Sequence, residues 1–219
     1  MKRFSQWFSV TILVATTGAV PLRADQVIFN GGFEDGTYTA SVTDNTQTPP
    51  TVTSSVVPIG WTPNYAFAAN PSANTVESTT VHSGSSALAI GNPDGALTAG
   101  LSQSFTDVAG ENYIGTVWAL DGGASDPSSY LSMTINGSVL IALNQFDSTW
   151  TEYTFLFTGT GSDYLDIQAQ TSSSEWFVDD LSASEITPEP SSLLLLGSGL
   201  AALAVLIRRA RRKTRIARV

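Results

Sequence analysis

Glu152-Tyr153-Thr154-Phe155-Leu156-Phe157 is the stretch whose reading decides the fold. Its rings at 153, 155 and 157 recur at every second residue, the period that places alternate side chains on one face of a strand. Working outward, the same reading predicts strands at Gln26–Phe29, Ala87–Ile90, Leu101–Phe105, Tyr113–Leu120, Tyr130–Ile135, Val139–Leu143, Tyr164–Ala169 and Trp176–Ser182. Gly, Ser, Thr, Asn and Asp punctuate the chain between them, and no run of helical period appears before Leu193. Asn136-Gly137 joins two of these strands as a hairpin turn, since both central residues must take positive φ and these two do so cheaply. Many short strands in one span predict an all-β sandwich. Thr37–Val57 is too polar for core and is expected to be a long surface excursion.

Charge is distributed in one sense only. The ten Lys and Arg lie at Lys2, Arg3 and Arg23 and from Arg208 onward, whereas every acid except Glu189 lies within Asp25–Ile186. Such a span repels phosphate backbones, which excludes nucleic acid as a partner, and it holds no Lys or Arg for internal salt bridges. There is no cysteine, so no disulfide staples this domain. His82 is the single imidazole, lies in a Ser-Gly turn, and is accompanied by no G-x-S-x-G stretch, so no catalytic site is expected.

Both ends read as addresses. Met1-Lys2-Arg3 is basic, Trp7–Ala15 apolar, and cleavage after either Ala19 or Ala24 fits; residues 1–24 are expected to be a signal peptide. At the other end Pro188-Glu189-Pro190 precedes an apolar run, Leu193–Ile207, expected within a single transmembrane helix over 191–207. Arg208, Arg209, Arg211, Arg212 and Lys213 follow it and orient that end to the cytoplasm.

The Pro-Glu-Pro, apolar helix and Arg cluster over 187–219 resemble the PEP-CTERM sorting signal of exopolysaccharide-producing Gram-negative bacteria. The resemblance implies processing by a membrane-embedded exosortase, with sorting motif Pro188, Glu189 and Pro190, and delivery to the cell surface or extracellular matrix. Domain boundaries at 25–186 and 187–219 follow from it.

Asn30-Gly31-Gly32-Phe33-Glu34, Gly60-Trp61, His82-Ser83-Gly84-Ser85-Ser86-Ala87-Leu88, Trp150 with Tyr153 and Phe155, and Trp176-Phe177-Val178-Asp179-Asp180-Leu181 resemble, in order, the jelly roll of carbohydrate-binding modules, a galactose-binding-domain-like fold. The resemblance implies a structural Ca²⁺ held by Glu34 and Asp179. Alternation puts Asp179 on one face with Phe177 and Leu181, and Asp180 on the other with Val178. Accepting backbone N–H bonds is the alternative role for both acids. Trp118, Tyr130 and Trp176 are the candidate sugar platforms, and Trp61 and Trp150 fit the family pattern as core plugs. The expected function is that of a non-catalytic glycan-binding protein with exopolysaccharide as a possible partner. The alternative is a structural or adhesive matrix protein without specific sugar binding.

Overall fold

The computed structural model describes residues 26–46, 48–91, 98–123, 128–144, 148–171, 174–186, 196–204 and 206–208. The expected signal peptide lies outside the described residues, as do Pro188, Glu189, Pro190, Arg209, Arg211, Arg212 and Lys213.

Strands follow in the order β1 (Thr37–Asp44), β2 (Thr51–Pro58), β3 (Thr62–Pro63), β4 (Thr75–Glu77), β5 (Ala87–Ile90) and β6 (Ala99–Phe105), then β7 (Asn112–Asp121), β8 (Tyr130–Ile135), β9 (Ser138–Leu143), β10 (Thr151–Thr158), β11 (Asp163–Gln170) and β12 (Trp176–Glu185). One short helix, α1 (Tyr65–Ala69), lies between β3 and β4; the Asn64 side chain caps it by accepting the Phe67 N–H at 2.8 Å.

Two five-stranded sheets pack as a sandwich, the first in the order β10-β7-β12-β5-β4 and the second in the order β3-β6-β11-β8-β9. The cause is visible in strand periodicity. In β7 the residues 113, 115, 117, 119 and 121 are buried and their neighbours are not, while β8 buries Leu131, Met133 and Ile135. These inward side chains meet Leu101, Leu165, Ile167, Val178 and Leu181 in one core, which among the described residues runs from Ile28 to Ala183.

The turn at Asn136-Gly137 has φ of 51° and 79° and joins β8 to β9 through the pair Ile135–Ser138. In β10, an edge strand, Phe155 is buried while Tyr153 and Phe157 are half-buried; Leu156 faces solvent. Gln26 bridges only to Ser184, so the predicted first strand reduces to a single bridge beside β12.

The span 37–57 departs from expectation. It forms an antiparallel hairpin of two eight-residue strands, β1 and β2, paired from Thr37–Pro58 to Asp44–Thr51. Its Thr and Val residues are good strand formers, and most of it is exposed, but Ser55 and Val57 are buried and Val57 joins the core.

Residues 196–204 and 206–208 are helical and exposed. Among the described residues no helix is long and apolar enough to cross a membrane.

Candidate functional site

The Asn30–Glu34 motif and strand β12 meet around the loop 82–86. The Leu181 N–H donates to the Gly31 carbonyl at 3.0 Å, and a Cβ on Gly31 would lie 1.8 Å from the Leu181 carbonyl oxygen, so only glycine permits this approach. Strand β12 carries a bulge here: Asp179 pairs with Trp118 and Ser182 with Thr116, leaving two residues of β12 opposite one of β7. Asp180 takes φ of 48° within it. The bulge changes the expected alternation, because it turns Leu181 into the core alongside Val178 and away from the face that holds Asp179.

Three acids grip the loop. Asp179 Oδ2 accepts the N–H groups of His82 and Ser83 at 3.0 and 3.1 Å, and its Oδ1 accepts the Asp180 N–H at 2.7 Å. Asp180 Oδ2 lies 2.7 Å from His82 Nδ1, and its Oδ1 accepts the Ser83 hydroxyl at 2.9 Å. Glu34 Oε1 accepts the N–H groups of Ser85 and Ser86 at 2.7 and 2.8 Å, while Oε2 accepts the Ser85 hydroxyl at 2.6 Å. Gly84, at φ of 65°, sits between the two grips.

Glu34 and Asp179 therefore reach one loop, but all four of their carboxylate oxygens already accept protein N–H or O–H groups. Calcium takes six to eight oxygen ligands, and among the described residues no group of three or more His, Cys, Asp or Glu side chains stands ready to hold a metal. Glu34 and Asp179 here accept backbone N–H groups, the alternative role, and Glu34 also accepts the Ser85 hydroxyl.

The three nominated platforms fall in three places. Trp118 lies half-buried on the outer face of the first sheet, with the His82 ring stacked on it at 3.7 Å and 14° between planes. Trp150 is not a core plug: it is half-buried and meets His82 edge-on at 5.7 Å. Trp176 is no platform, being 1% exposed, with its indole N–H donated to Ser129 Oγ at 3.0 Å. Trp61 is equally buried, its N–H donated to the Asn30 carbonyl at 3.1 Å. Tyr130 stands on the second sheet, its hydroxyl 2.7 Å from that of Thr98.

Around Tyr130 the register of the second sheet builds a surface that sequence reading passed over. Thr62, Ser102, Asp166 and Thr134 are successive partners across β3, β6, β11 and β8; Gly100, Gln168 and Ser132 form the next row, and Gln170 pairs with Tyr130. Apart from Gly100, these side chains carry hydroxyl, amide or carboxyl groups and none is cationic; Ser102 among them is buried, its hydroxyl donating to the Thr62 carbonyl at 3.2 Å. Gly100 makes room for Asn64, whose amide oxygen accepts the Gly100 N–H at 3.0 Å and whose amide nitrogen donates to the Thr98 carbonyl at 3.0 Å. A Cβ at Gly100 would come within 2.7 Å of Asn64 Nδ2. Gln168 Nε2 donates to Asp166 Oδ2 at 2.5 Å. Alternate polar residues in each strand are the only signal available in sequence; their assembly into rows depends on register.

Ionisation follows burial. Asp166, Glu175, Asp179 and Asp107 are all held above their ordinary carboxyl values, chiefly by burial. Glu34 is held below by the Ser85 hydroxyl and the amides of Ser85 and Ser86. In Asp163 burial pushes upward but is outweighed by bonds from Asp107, Thr160 and Asn136, so it too lies low. A raised carboxyl stabilises the fold fully below its unfolded value and loses that contribution as pH rises through its folded value. A lowered one contributes above its unfolded value and loses this as pH falls through its folded value. The melting temperature is expected to rise as pH is lowered from about 7 toward the carboxyl range, then to fall once Glu34 and Asp163 protonate. A thermal scan across pH showing a monotonic fall on acidification would contradict this.

Residues 187–212 match the model of the PEP-CTERM protein-sorting motif. That motif marks an exported protein sorted to the cell surface and implies exosortase processing. No curated protein matches the sequence. Similar solved structures are carbohydrate-binding modules with the jelly-roll fold. The CBM22-1 xylan-binding domain from Paenibacillus barcinonensis Xyn10C is 16% identical, covers 72% of this chain and 93% of its own, and has a TM-score of 0.43. TmCBM61 in complex with β-1,4-galactotriose is 17% identical, with coverages of 74% and 99% and a TM-score of 0.44. A CBM4 structure is 16% identical, with coverages of 72% and 99% and a TM-score of 0.41. No residue role passes from them to this chain.

Proposed function

We propose that this exported protein is a non-catalytic glycan-binding sandwich that takes a neutral saccharide on the outer face of the second sheet. The observation that carries the reading is half-buried Asp166, set beside Thr134 and Gln168 with, among the described residues, no Lys or Arg next to it and with the Tyr130 ring on the same face. Sugar hydroxyls suit this environment, because they donate to a partly desolvated carboxylate and exchange hydrogen bonds with hydroxyl and amide groups. A saccharide that is itself anionic meets only like charge here. Glycoside hydrolysis uses two carboxyl groups, and among the described residues of these rows Asp166 has no second carboxylate beside it. The single imidazole is stacked and bonded on the other sheet.

The test is retention of the 24–187 fragment on a glycan array and in affinity gels containing soluble xylan or β-1,4-galactan, with heparin as the anionic control. Retention by a neutral polymer, weakened about tenfold or more by Asp166→Ala, is the expected result; a tenfold loss corresponds to about 1.4 kcal/mol. If no glycan is retained, the protein is instead a structural or adhesive component of the surface matrix.

Calcium at Glu34 and Asp179 is a separate proposal, supported by the acidity of the domain and by the meeting of both residues at one loop. A ligand bound only to the folded state must raise the melting temperature. A rise with millimolar Ca²⁺ that a chelator reverses supports the site; identical melting curves leave the loop held by its hydrogen bonds to Glu34, Asp179 and Asp180 alone.

A further inference from the structure

We infer that the opposite face of the sandwich carries a second saccharide site, so that the protein joins glycan chains to one another. The inference rests on the glycan-binding reading above but on different residues. A groove of about 720 Å³ opens on the outer face of the first sheet, between the segment 26–32 and strands β7 and β12. Thr116 and Ser182 line it; they are register partners whose hydroxyl oxygens lie 3.1 Å apart. Two positions along the same face of β7, Trp118 borders the groove, and Asp180 borders it from β12.

Two observations single this groove out. The first is the treatment of Trp118. A half-buried indole on the outer face of a sheet is not needed by the core, yet here it is fixed by the stacked His82 ring, which Trp150 meets edge-on. Trp118 lines the groove and His82, stacked on it, does not. An aromatic ring immobilised in advance loses little conformational entropy on binding. The second is Asp180, a non-glycine residue at φ of 48°, a conformation that costs energy and persists only where its surroundings over-determine it. The bonds from His82 and Ser83 do so, and they hold Asp180 at the groove wall.

A ring, two adjacent hydroxyls and a carboxylate, with no Lys or Arg among the described lining residues, form a chemistry matched to a neutral saccharide, whose C–H groups pack on the ring while its hydroxyls bond. The groove faces outward from the first sheet and the Asp166 rows face outward from the second, with the whole core between them. One glycan residue cannot occupy both sites. A long polysaccharide bound at either face leaves the other open to a second chain, and many such links raise the strength of attachment by avidity.

The experiment uses the 24–187 fragment with soluble xylan and β-1,4-galactan, and reads both retention in an affinity gel and clouding of the polymer solution. The wild type is expected to be retained and to cloud at least one polymer. Trp118→Ala and Ser182→Gln, which fills the groove while leaving the Trp118–His82 stack intact, are expected to abolish clouding but keep retention through the other face. Asp166→Ala is expected to abolish clouding too, with retention weakened about tenfold but not lost because the groove still binds, and the double variant Asp166→Ala with Ser182→Gln to lose both. If both groove variants cloud the polymer as the wild type does, the second site is overturned and the Asp166 face stands. If Asp166→Ala changes neither readout, the reading of the Asp166 face fails, and with it the joining of chains across two faces. Retention without clouding by the wild type overturns the inference, as does failure to retain either polymer.

Discussion

Trp176→Ala is expected to destabilise the domain by about 3–5 kcal/mol, the usual cost of emptying a fully buried aromatic site. Trp176 is 1% exposed, and its loss also leaves Ser129 Oγ, which now accepts the indole N–H, without that partner. Ser129 itself donates to buried Asp121 at 3.1 Å, so the cavity opens beside a small polar network and not in a purely apolar pocket. Chemical denaturation of the fragment would show the midpoint falling, with no change in slope if the compactness of the unfolded chain is unaltered. Trp118→Ala makes the contrast: its indole is half-buried, so the same assay should show a clearly smaller loss. Equal losses would mean that Trp118 is as much a part of the core as Trp176.

Gly31→Ala is the second large effect. The added methyl would meet the Leu181 carbonyl oxygen at 1.8 Å, and that oxygen is backbone within β12, not the end of a flexible side chain. Relief requires the segment 26–32 to lift off, breaking the 3.0 Å bond from the Leu181 N–H to the Gly31 carbonyl and disturbing the neighbouring 2.9 Å bond from the Val27 N–H to the Ala183 carbonyl. Forcing bulk into a packed contact costs about 1–3 kcal/mol and sometimes more; with two backbone bonds at stake, about 3 kcal/mol is expected. Gly32→Ala is the control, since its methyl would find its nearest neighbour at 3.7 Å. Similar melting temperatures for the two variants would show that the segment 26–32 is not held as described.

The sandwich was readable in sequence where alternation and turn chemistry coincide. Tyr130–Ile135, Asn136-Gly137 and Val139–Leu143 gave two strands and their hairpin, and β8 and β9 lie there. Periodicity shows that a strand has two faces, but not which one a partner sheet will cover. Trp118 and Trp176 therefore looked alike, although one faces outward and the other is packed against Ser129. Nor does alternation survive a bulge, and the extra residue between Asp179 and Ser182 moved Leu181 to the other side. In 37–57 polarity was the misleading cue: a hairpin bonded mainly to itself needs little core, and its Thr and Val residues serve it well. The Asp166 rows lay outside the reach of sequence reasoning, because they consist of residues from four strands whose alignment is set by hydrogen-bond register.

The order of strands in the first sheet has a consequence for how this protein crosses a membrane. Its last strand, β12, is not an edge but sits between β7 and β5, and it also bonds the segment that begins at Gln26. Pairings between the two extremes of a chain are slow to form, because loop closure must come before any contact rewards it. Until residues as late as Glu185 have emerged from the export channel, β7 and β5 have no common neighbour and the first sheet cannot be completed. Completion of the first sheet thus waits for the last strand before the sorting tail.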